Sequence, residues 1–242
     1  MCTVSFVRHR ESHIITSNRD EHIARPISYA PKQETIKGCK VVFPKDPKAG
    51  GTWFAVNENG VVSVLLNGAF KKHTYLGNYS RSRGLVLLDV ITNKNPTSFA
   101  LEMNLEAIEP FTLVIFQQGK LNEFRWDGEQ RYLKALKTSE NHIWSSVTLY
   151  DQAAIQYRES LFSKFVTGGQ ATDPNTIADF HSNNHGDFEN GFIIDRNNGL
   201  KTFSMTQAII DTDETVMKHI DLINGKEYAI SIFPNPLVQS IT

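Results

Sequence analysis

The first 21 residues constrain the fold most, because they predict a hairpin that gathers reactive side chains at its open end. Residues 2–7 alternate and are rich in β-forming types, residues 8–12 are polar, and residues 13–18 resemble a second strand. This pattern predicts two antiparallel strands joined by a tight turn. The open ends of such a hairpin lie side by side, so the polar residues 18–20 are expected beside Cys2.

The rest of the chain shows strand patterns, then mainly helix patterns, then strand patterns again. Beyond the first hairpin, strands are predicted at 40–43, 61–66, 111–116, 121–126, 142–147, 191–195, 201–210 and 228–233, and helices at 80–92, after Pro96, at 151–165 and from Asp173. Residues 26–51 are otherwise predicted as loop. This order is typical of an α+β fold in which antiparallel sheets stack between helical layers. At 242 residues, one domain spanning 1–242 is expected.

Composition argues against several classes of function. The formal net charge is −1 and no long block of one sign occurs, so binding to nucleic acid or an anionic membrane is not expected. No window approaches 18 apolar residues, which argues against a membrane-spanning helix, and charged residues within 8–11 interrupt any apolar leader. Two cysteines do not make a disulfide framework. A reducing, cytoplasmic location is therefore expected.

Cys2 carries a specific chemical prediction. Removal of Met1 would leave a thiol and an α-amine on one residue. Their reference pKa values, about 8.5 and about 7.7–8.0, are close enough for easy proton exchange. Such a residue is a nucleophile with its own base attached. The structural alternative is that Cys2 is a small buried side chain in the first strand.

Several short motifs together carry a family resemblance. They are Met1-Cys2, Ser17-Asn18-Arg19-Asp20-Glu21, Arg25-Pro26, Gly50-Gly51-Thr52-Trp53 and Arg83-Gly84. In this order they resemble the NRDE family, whose best-known members are called transport and Golgi organisation proteins. That family is similar in turn to the N-terminal-nucleophile hydrolases of the choloylglycine hydrolase and penicillin acylase type. The resemblance implies a four-layer αββα sandwich with two mainly antiparallel sheets.

The same resemblance implies a set of site residues. Cys2 would be the nucleophile after Met1 is removed, with Arg19 and Asp20 holding its thiol and amine and with Asn67 as an oxyanion donor. Asn18, Glu21 and Ser146 are possible supporting residues. Ser146 is included because the hydrolases have a second oxyanion asparagine near this point, where this chain has Trp144-Ser145-Ser146.

Two functions follow from this resemblance. The first is hydrolysis of a small-molecule substrate at a linear amide or acyl (thio)ester bond, with no cofactor. The second is a binding or trafficking protein on the same fold, holding haem or an acyl lipid without cleaving it. Structural alternatives also stay open, since Arg19 and Asp20 could be a buried pair bracing the hairpin. Asn67 could simply begin a turn.

Other polar residues give weaker signals. Arg81 and Arg83 could bind an anion, although arginines at a helix start more often form a solvated face. His181 and His185 have a spacing that can bind metal on a helix, but no third ligand accompanies them, so no metal site is expected. A redox pair of Cys2 and Cys39 lacks C-x-x-C spacing.

Overall fold

A computed structural model describes residues 2–168 and 172–232, including the backbone but not the side chain of Cys2. Its elements are β1 (Cys2–His9), β2 (Ser12–His22), β3 (Tyr29–Ile36), β4 (Cys39–Lys45), β5 (Phe54–Asn57), β6 (Val62–Asn67), α1 (Arg83–Ile91), α2 (Pro96–Glu102), β7 (Phe111–Gln117), β8 (Lys120–Trp126), β9 (Arg131–Leu136), β10 (His142–Ser145), α3 (Gln152–Thr167), α4 (Pro174–His181), β11 (Leu200–Ile210), β12 (Thr215–Asp221) and β13 (Lys226–Ile232). None of the helices in these ranges is long and apolar enough to cross a membrane.

The strands form two antiparallel sheets. The six-stranded sheet has the order β10-β1-β2-β11-β12-β13, and the seven-stranded sheet runs from β3 to β9 in sequence order. Helices α3 and α4 pack on the outer side of the six-stranded sheet, and α1 and α2 pack on the outer side of the seven-stranded sheet. The predicted α+β sandwich of four layers is therefore confirmed.

Side chains alternate in direction along β1 and β2, so their apolar residues pack into two clusters, one on each face of the six-stranded sheet. Phe6 and Ile15 point inward and join the main apolar core, to which both sheets contribute. Their neighbours Val7 and Ile14 point outward and pack beneath α3 and α4, against residues such as Phe180. Both faces of the six-stranded sheet are thus covered, which explains the near-continuous burial of β2.

The predicted hairpin is confirmed and extends further than expected. In its register Cys2 lies opposite Arg19 and Thr3 opposite Asn18. Strand β2 continues to His22 because its far end also pairs with β11, where Thr202 lies opposite Asp20. The end of the hairpin is therefore inside a sheet rather than at an edge.

Some elements differ from the sequence-based prediction. Strand β3, within the predicted loop, and strand β9 are largely exposed, so neither has a clear apolar face. Strand β12 was missed because three of its four inward residues are polar. The strand predicted at 191–195 forms only one bridge, between Asp195 and Lys201. Met1, Gly169 and Phe233, which figured in the predictions, lie outside the described residues.

Candidate active site

A cavity of about 190 Å³ opens at the hairpin end. Its lining includes Arg19, Glu21, Asp46, Trp53, Asn67 and Arg83. These residues come from both sheets and from the start of α1. The backbone of Cys2 pairs with Arg19 in this corner, so the predicted nucleophile begins a strand next to a lining residue.

Arg19 is the central charge of the cavity and is 2% exposed. Its Nη2 donates to Glu21 Oε2 at 3.3 Å and to Asp46 Oδ2 at 3.2 Å. Its guanidinium lies over the Trp53 ring, 4.6 Å from the centroid. Among the described residues, Nη1 has no hydrogen-bond partner. The Nη1 group of Arg19 is therefore a buried donor that the described residues leave unpaired.

The two carboxylates of the cavity, Glu21 and Asp46, already accept hydrogen bonds from neighbouring residues. Asp46 also accepts from Arg25 Nη2 at 2.7 Å and from the backbone N–H of Lys48 at 2.9 Å. Burial would raise the pKa of Asp46, but hydrogen bonds and the neighbouring arginines outweigh it and lower the pKa below its usual value. The pKa of Glu21 is also lowered, because nearby positive charge, including Arg19, outweighs burial.

Asp20 points to the opposite face of the sheet from Arg19. Tyr150 donates its hydroxyl to Asp20 Oδ2 at 2.6 Å, and Thr202 donates to Oδ1 at 2.7 Å. Burial raises the pKa of Asp20, opposed by the charge of Arg158 and by these two hydrogen bonds. Because neighbouring side chains in a strand point in opposite directions, Arg19 and Asp20 face separate environments on the two sides of the six-stranded sheet.

Arg158 is a fully buried residue that the sequence reasoning missed. Its Nε donates to Asn190 O at 2.9 Å, and its other nitrogens donate to Thr3 Oγ1 and Gly191 O. Its guanidinium lies 3.5 Å from the centre of the Tyr150 ring. A signal was present, since Arg158 falls at i+4 on the buried stripe of α3 that includes Ala154 and Phe162.

Asn18 faces the helices and does not line the cavity. Its Nδ2 donates to the carbonyl of His181 at 2.8 Å, and its Oδ1 accepts from His181 Nδ1. His181 Nε2 accepts from Ser5 Oγ at 2.7 Å. This resembles a serine–histidine–asparagine triad, but all three residues are completely buried. Burial lowers the pKa of His181 to about 3, so the imidazole is neutral near pH 7. Its hydrogen bonds link β1, β2 and α4.

His185, the second histidine of the i, i+4 pair, is also engaged in a hydrogen bond. His185 Nε2 lies 2.9 Å from the carbonyl oxygen of Phe180. Both ring nitrogens of His181 are bonded within the protein. The pair therefore acts in side-chain packing and hydrogen bonding rather than presenting free nitrogens to a common point.

Asn67 ends β6 opposite Phe111 and lines the cavity. Ser146 Oγ donates to the Asn67 carbonyl oxygen at 2.8 Å and contacts Thr148 Oγ1 at 3.0 Å. The hydroxyl hydrogen of Ser146 is therefore already used to hold the Asn67 backbone. Ser146, a possible supporting residue under the resemblance, therefore does not offer this hydrogen to an oxyanion.

Arg83 and Cys39 have definite positions. Arg83 donates to Glu109 at 2.9 Å and lines the cavity, whereas Arg81 is largely exposed and pairs with Asp89. Cys39 lies at the far end of β4 from the cavity. Burial and the nearby Glu58 raise the pKa of its thiol, so Cys39 is not set up as a reactive partner.

Comparisons with known proteins agree with this architecture. The family model for transport and Golgi organisation 2 matches residues 1–217. Conjugated bile acid hydrolase from Clostridium perfringens, solved as a mutant, has a TM-score of 0.54 at 13% identity, covering 96% of this chain and 92% of that chain. An N-acylethanolamine-hydrolysing acid amidase orthologue from Caenorhabditis elegans has a TM-score of 0.58 at 13% identity, covering 85% and 92%. At this identity the likenesses establish the fold. A comparison with curated proteins finds no match.

Proposed function

The chain belongs to the transport and Golgi organisation 2 family, and we propose that it is a hydrolase of the N-terminal-nucleophile type with Cys2 as its nucleophile. Removal of Met1 would generate the free α-amine on Cys2. The proposed substrates are small molecules with a linear amide, N-acyl or acyl thioester bond. The two solved hydrolases support this class because they share the fold.

The observation that carries the proposal is the register of β1 and β2. It sets Cys2 opposite Arg19, a buried cation whose Nη1 has no hydrogen-bond partner in the described part of the chain. A positive charge close to a thiol favours the thiolate and lowers the pKa of the thiol, commonly by about 1–3 units. Arg19 would thus raise the fraction of Cys2 in its reactive form at neutral pH.

The reaction would proceed by acyl transfer. The α-amine, directly or through water, takes the thiol proton, and the thiolate forms a C–S bond with the substrate carbonyl carbon. The carbonyl electron pair moves to oxygen, near Asn67. Collapse of this intermediate breaks the bond to the amine or thiol leaving group, which takes a proton from the α-ammonium. Water then hydrolyses the thioester and restores Cys2.

Asp20 would orient the amine from the other side of the sheet. Tyr150 and Thr202 occupy one acceptor site on each carboxylate oxygen. A carboxylate can accept about four hydrogen bonds, so capacity for an ammonium remains. In this arrangement, Arg19 acts on the sulfur and Asp20 on the nitrogen of the same residue.

A second candidate is a non-catalytic protein that binds haem or an acyl lipid. The bond from Ser146 to the Asn67 backbone favours it, because Ser146 then offers no free donor to an oxyanion. Under this alternative the fold is kept but Cys2 need not be a nucleophile.

Intact mass before and after alkylation tests the proposal. We expect Met1 to be absent and Cys2 to react with iodoacetamide well ahead of Cys39, whose thiol pKa is raised. Cys2→Ala should remove the fast label and Cys39→Ser should keep it. Retention of Met1, or an inert Cys2, would refute the hydrolase and make haem and acyl-lipid titrations the next measurement.

A further inference from the structure

Acyl transfer at Cys2 needs donors for the oxygen that becomes negative. Asn67 lines the cavity, but the hydroxyl of Ser146, a possible second donor under the resemblance, is bonded to the Asn67 carbonyl. A second donor should be buried, unpaired and on the same wall as Asn67. The inference that follows rests on the function proposed above.

Trp53 fulfils these conditions. It is 5% exposed and lines the cavity. Its indole Nε1, which can only donate, is buried without a hydrogen-bond partner among the described residues. Such buried orphans are uncommon in native proteins, and each one calls for an explanation. A ligand oxygen in the cavity would supply one here.

Strand pairing places Trp53 near Asn67. The N–H of Leu65 donates to the Trp53 carbonyl at 2.9 Å, which continues the register in which Phe54 lies opposite Val64. Trp53 is therefore opposite Leu65, and Asn67 is two residues further along the same face. Diagonal neighbours in a sheet lie about 7–8 Å apart, within reach of an aromatic side chain. A small oxygen-bearing group between the two side chains could meet both.

Polar groups of the cavity walls also favour an acceptor as the ligand. The carboxylates of Glu21 and Asp46 already accept from arginines and backbone N–H groups. Within residues 2–168 and 172–232, the buried groups of this cavity that lack a partner are donors, Arg19 Nη1 and Trp53 Nε1. The group that completes this set must therefore bring lone pairs, as a carbonyl oxygen or an oxyanion does.

We propose that the Trp53 indole N–H is the second oxyanion donor, acting with Asn67. When the Cys2 thiolate forms the C–S bond, the carbonyl electron pair moves to an oxygen held between these two donors. The pair returns as the leaving group departs. Trp53 also lies against Arg19, so one residue supports both the nucleophile and the developing charge.

Trp53→Phe separates these two roles, since it keeps an aromatic ring against Arg19 but removes the N–H. The test compares two reactions of Cys2 in a Cys39→Ser background. Acylation by p-nitrophenyl acetate passes through an oxyanion, whereas alkylation by iodoacetamide does not. We expect acylation to slow by about 10²-fold and alkylation to keep its rate and pH profile. Unchanged alkylation also shows that the variant is folded.

Two variants control the comparison. Trp126→Phe removes an indole N–H that donates to the Ile108 carbonyl and should change neither reaction. Asn67→Ala should slow acylation only. If Asn67→Ala slows acylation but Trp53→Phe does not, Trp53 is not the donor while the hydrolase survives. If the unmodified Cys2 resists both reagents, the proposed function itself fails.

Discussion

At the scale of single residues, Arg19 carries more than one role. It is a buried cation held by two carboxylates and an aromatic face. Removing one member of such a group commonly costs about 3–5 kcal/mol, because the remaining charges are left buried without compensation. The same charge is the proposed reason for a reactive Cys2. Stability and reactivity therefore depend on one side chain.

Replacing Arg19 separates these effects when alkylation is followed against pH. We expect Arg19→Gln to raise the apparent pKa of the Cys2 thiol by about 1–3 units, because the adjacent positive charge is lost. The measurement is the midpoint of the iodoacetamide rate profile, taken under conditions where circular dichroism shows a folded variant. Arg81→Gln removes a largely exposed arginine and should leave the midpoint unchanged. An unaltered midpoint in Arg19→Gln would contradict a thiolate stabilised by Arg19.

The sequence predicted the residues that short motifs mark, but not their partners. Arg19 and Asn67, which the resemblance assigns to one site, both line the cavity. Tyr150 and Thr202, which hold Asp20, are 130 and 182 positions away along the chain. Nothing local to either residue marks it as a partner of a carboxylate. Long-range pairing of this kind needs the fold.

At the scale of elements, two glycines of the family motifs, Gly51 and Gly84, allow close contact between α1 and the segment that leads into β5. A Cβ added at Gly84 would lie 2.8 Å from both the N and O atoms of Thr52, and one added at Gly51 would collide with the Gly84 backbone. The start of α1 therefore packs backbone to backbone on the segment before Trp53. This contact is possible because Gly51 and Gly84 have no side chains, and it fixes one wall of the cavity.

Gly84→Ala tests this contact. The extra methyl group must push backbone atoms apart, so we expect unfolding in urea to require about 1–3 kcal/mol less free energy. Ser98→Ala, at an exposed position within α2, is the matched control and should change stability by no more than about 0.5 kcal/mol. Equal stability of the two variants would mean that α1 can move away from the strand at little cost.

Elements with an apolar pattern were predictable, and those with a polar pattern were not. Strands β6 and β7 are apolar and almost wholly buried, and both were found from sequence. Strand β12 has strict alternation of burial, yet its inward residues include Thr215, His219 and Asp221. When polar residues face the core, the sequence loses the alternation of apolar and polar residues that identifies a strand.

At the scale of the whole molecule, two buried histidines couple folding to pH. Burial lowers the pKa of His181 to about 3 and that of His219 to about 4. In the unfolded chain both should titrate near 6.5. The unfolded state therefore binds more protons between these values and pH 6.5. The free energy of unfolding therefore keeps its full value above pH 6.5, as far as these histidines determine it, and decreases as the pH falls below 6.5.

We expect the free energy of unfolding to fall by about 3–4 kcal/mol between pH 7 and pH 5, if both histidines stay neutral in the folded state. Asp20 acts in the opposite direction below its own folded pKa, which burial raises. Urea titrations across this range measure the slope. His219→Gln should reduce this slope by about half. An unchanged slope in His219→Gln would show that this histidine becomes protonated in the folded protein.

The sandwich was predictable from the order of its elements, but the strand order of the six-stranded sheet was not. Strands β10, β1, β2 and β11 are neighbours, although they come from the middle, the beginning and the last third of the chain. Among these four strands, only the β1–β2 hairpin is local enough to follow from a turn signal. The fold could therefore be assigned as a class, while the surroundings of Asp20 depended on β11.

The alternation of residues 18–21 across the sheet also bears on how related chains can diverge. Asn18 belongs with His181 and Ser5 on the helical side, whereas Arg19 belongs with Asp46 and Trp53 between the sheets. One four-residue motif thus spans two independently packed neighbourhoods. In an alignment of relatives, position 18 should covary with 181, and position 19 with 46 and 53, with little exchange between the two groups.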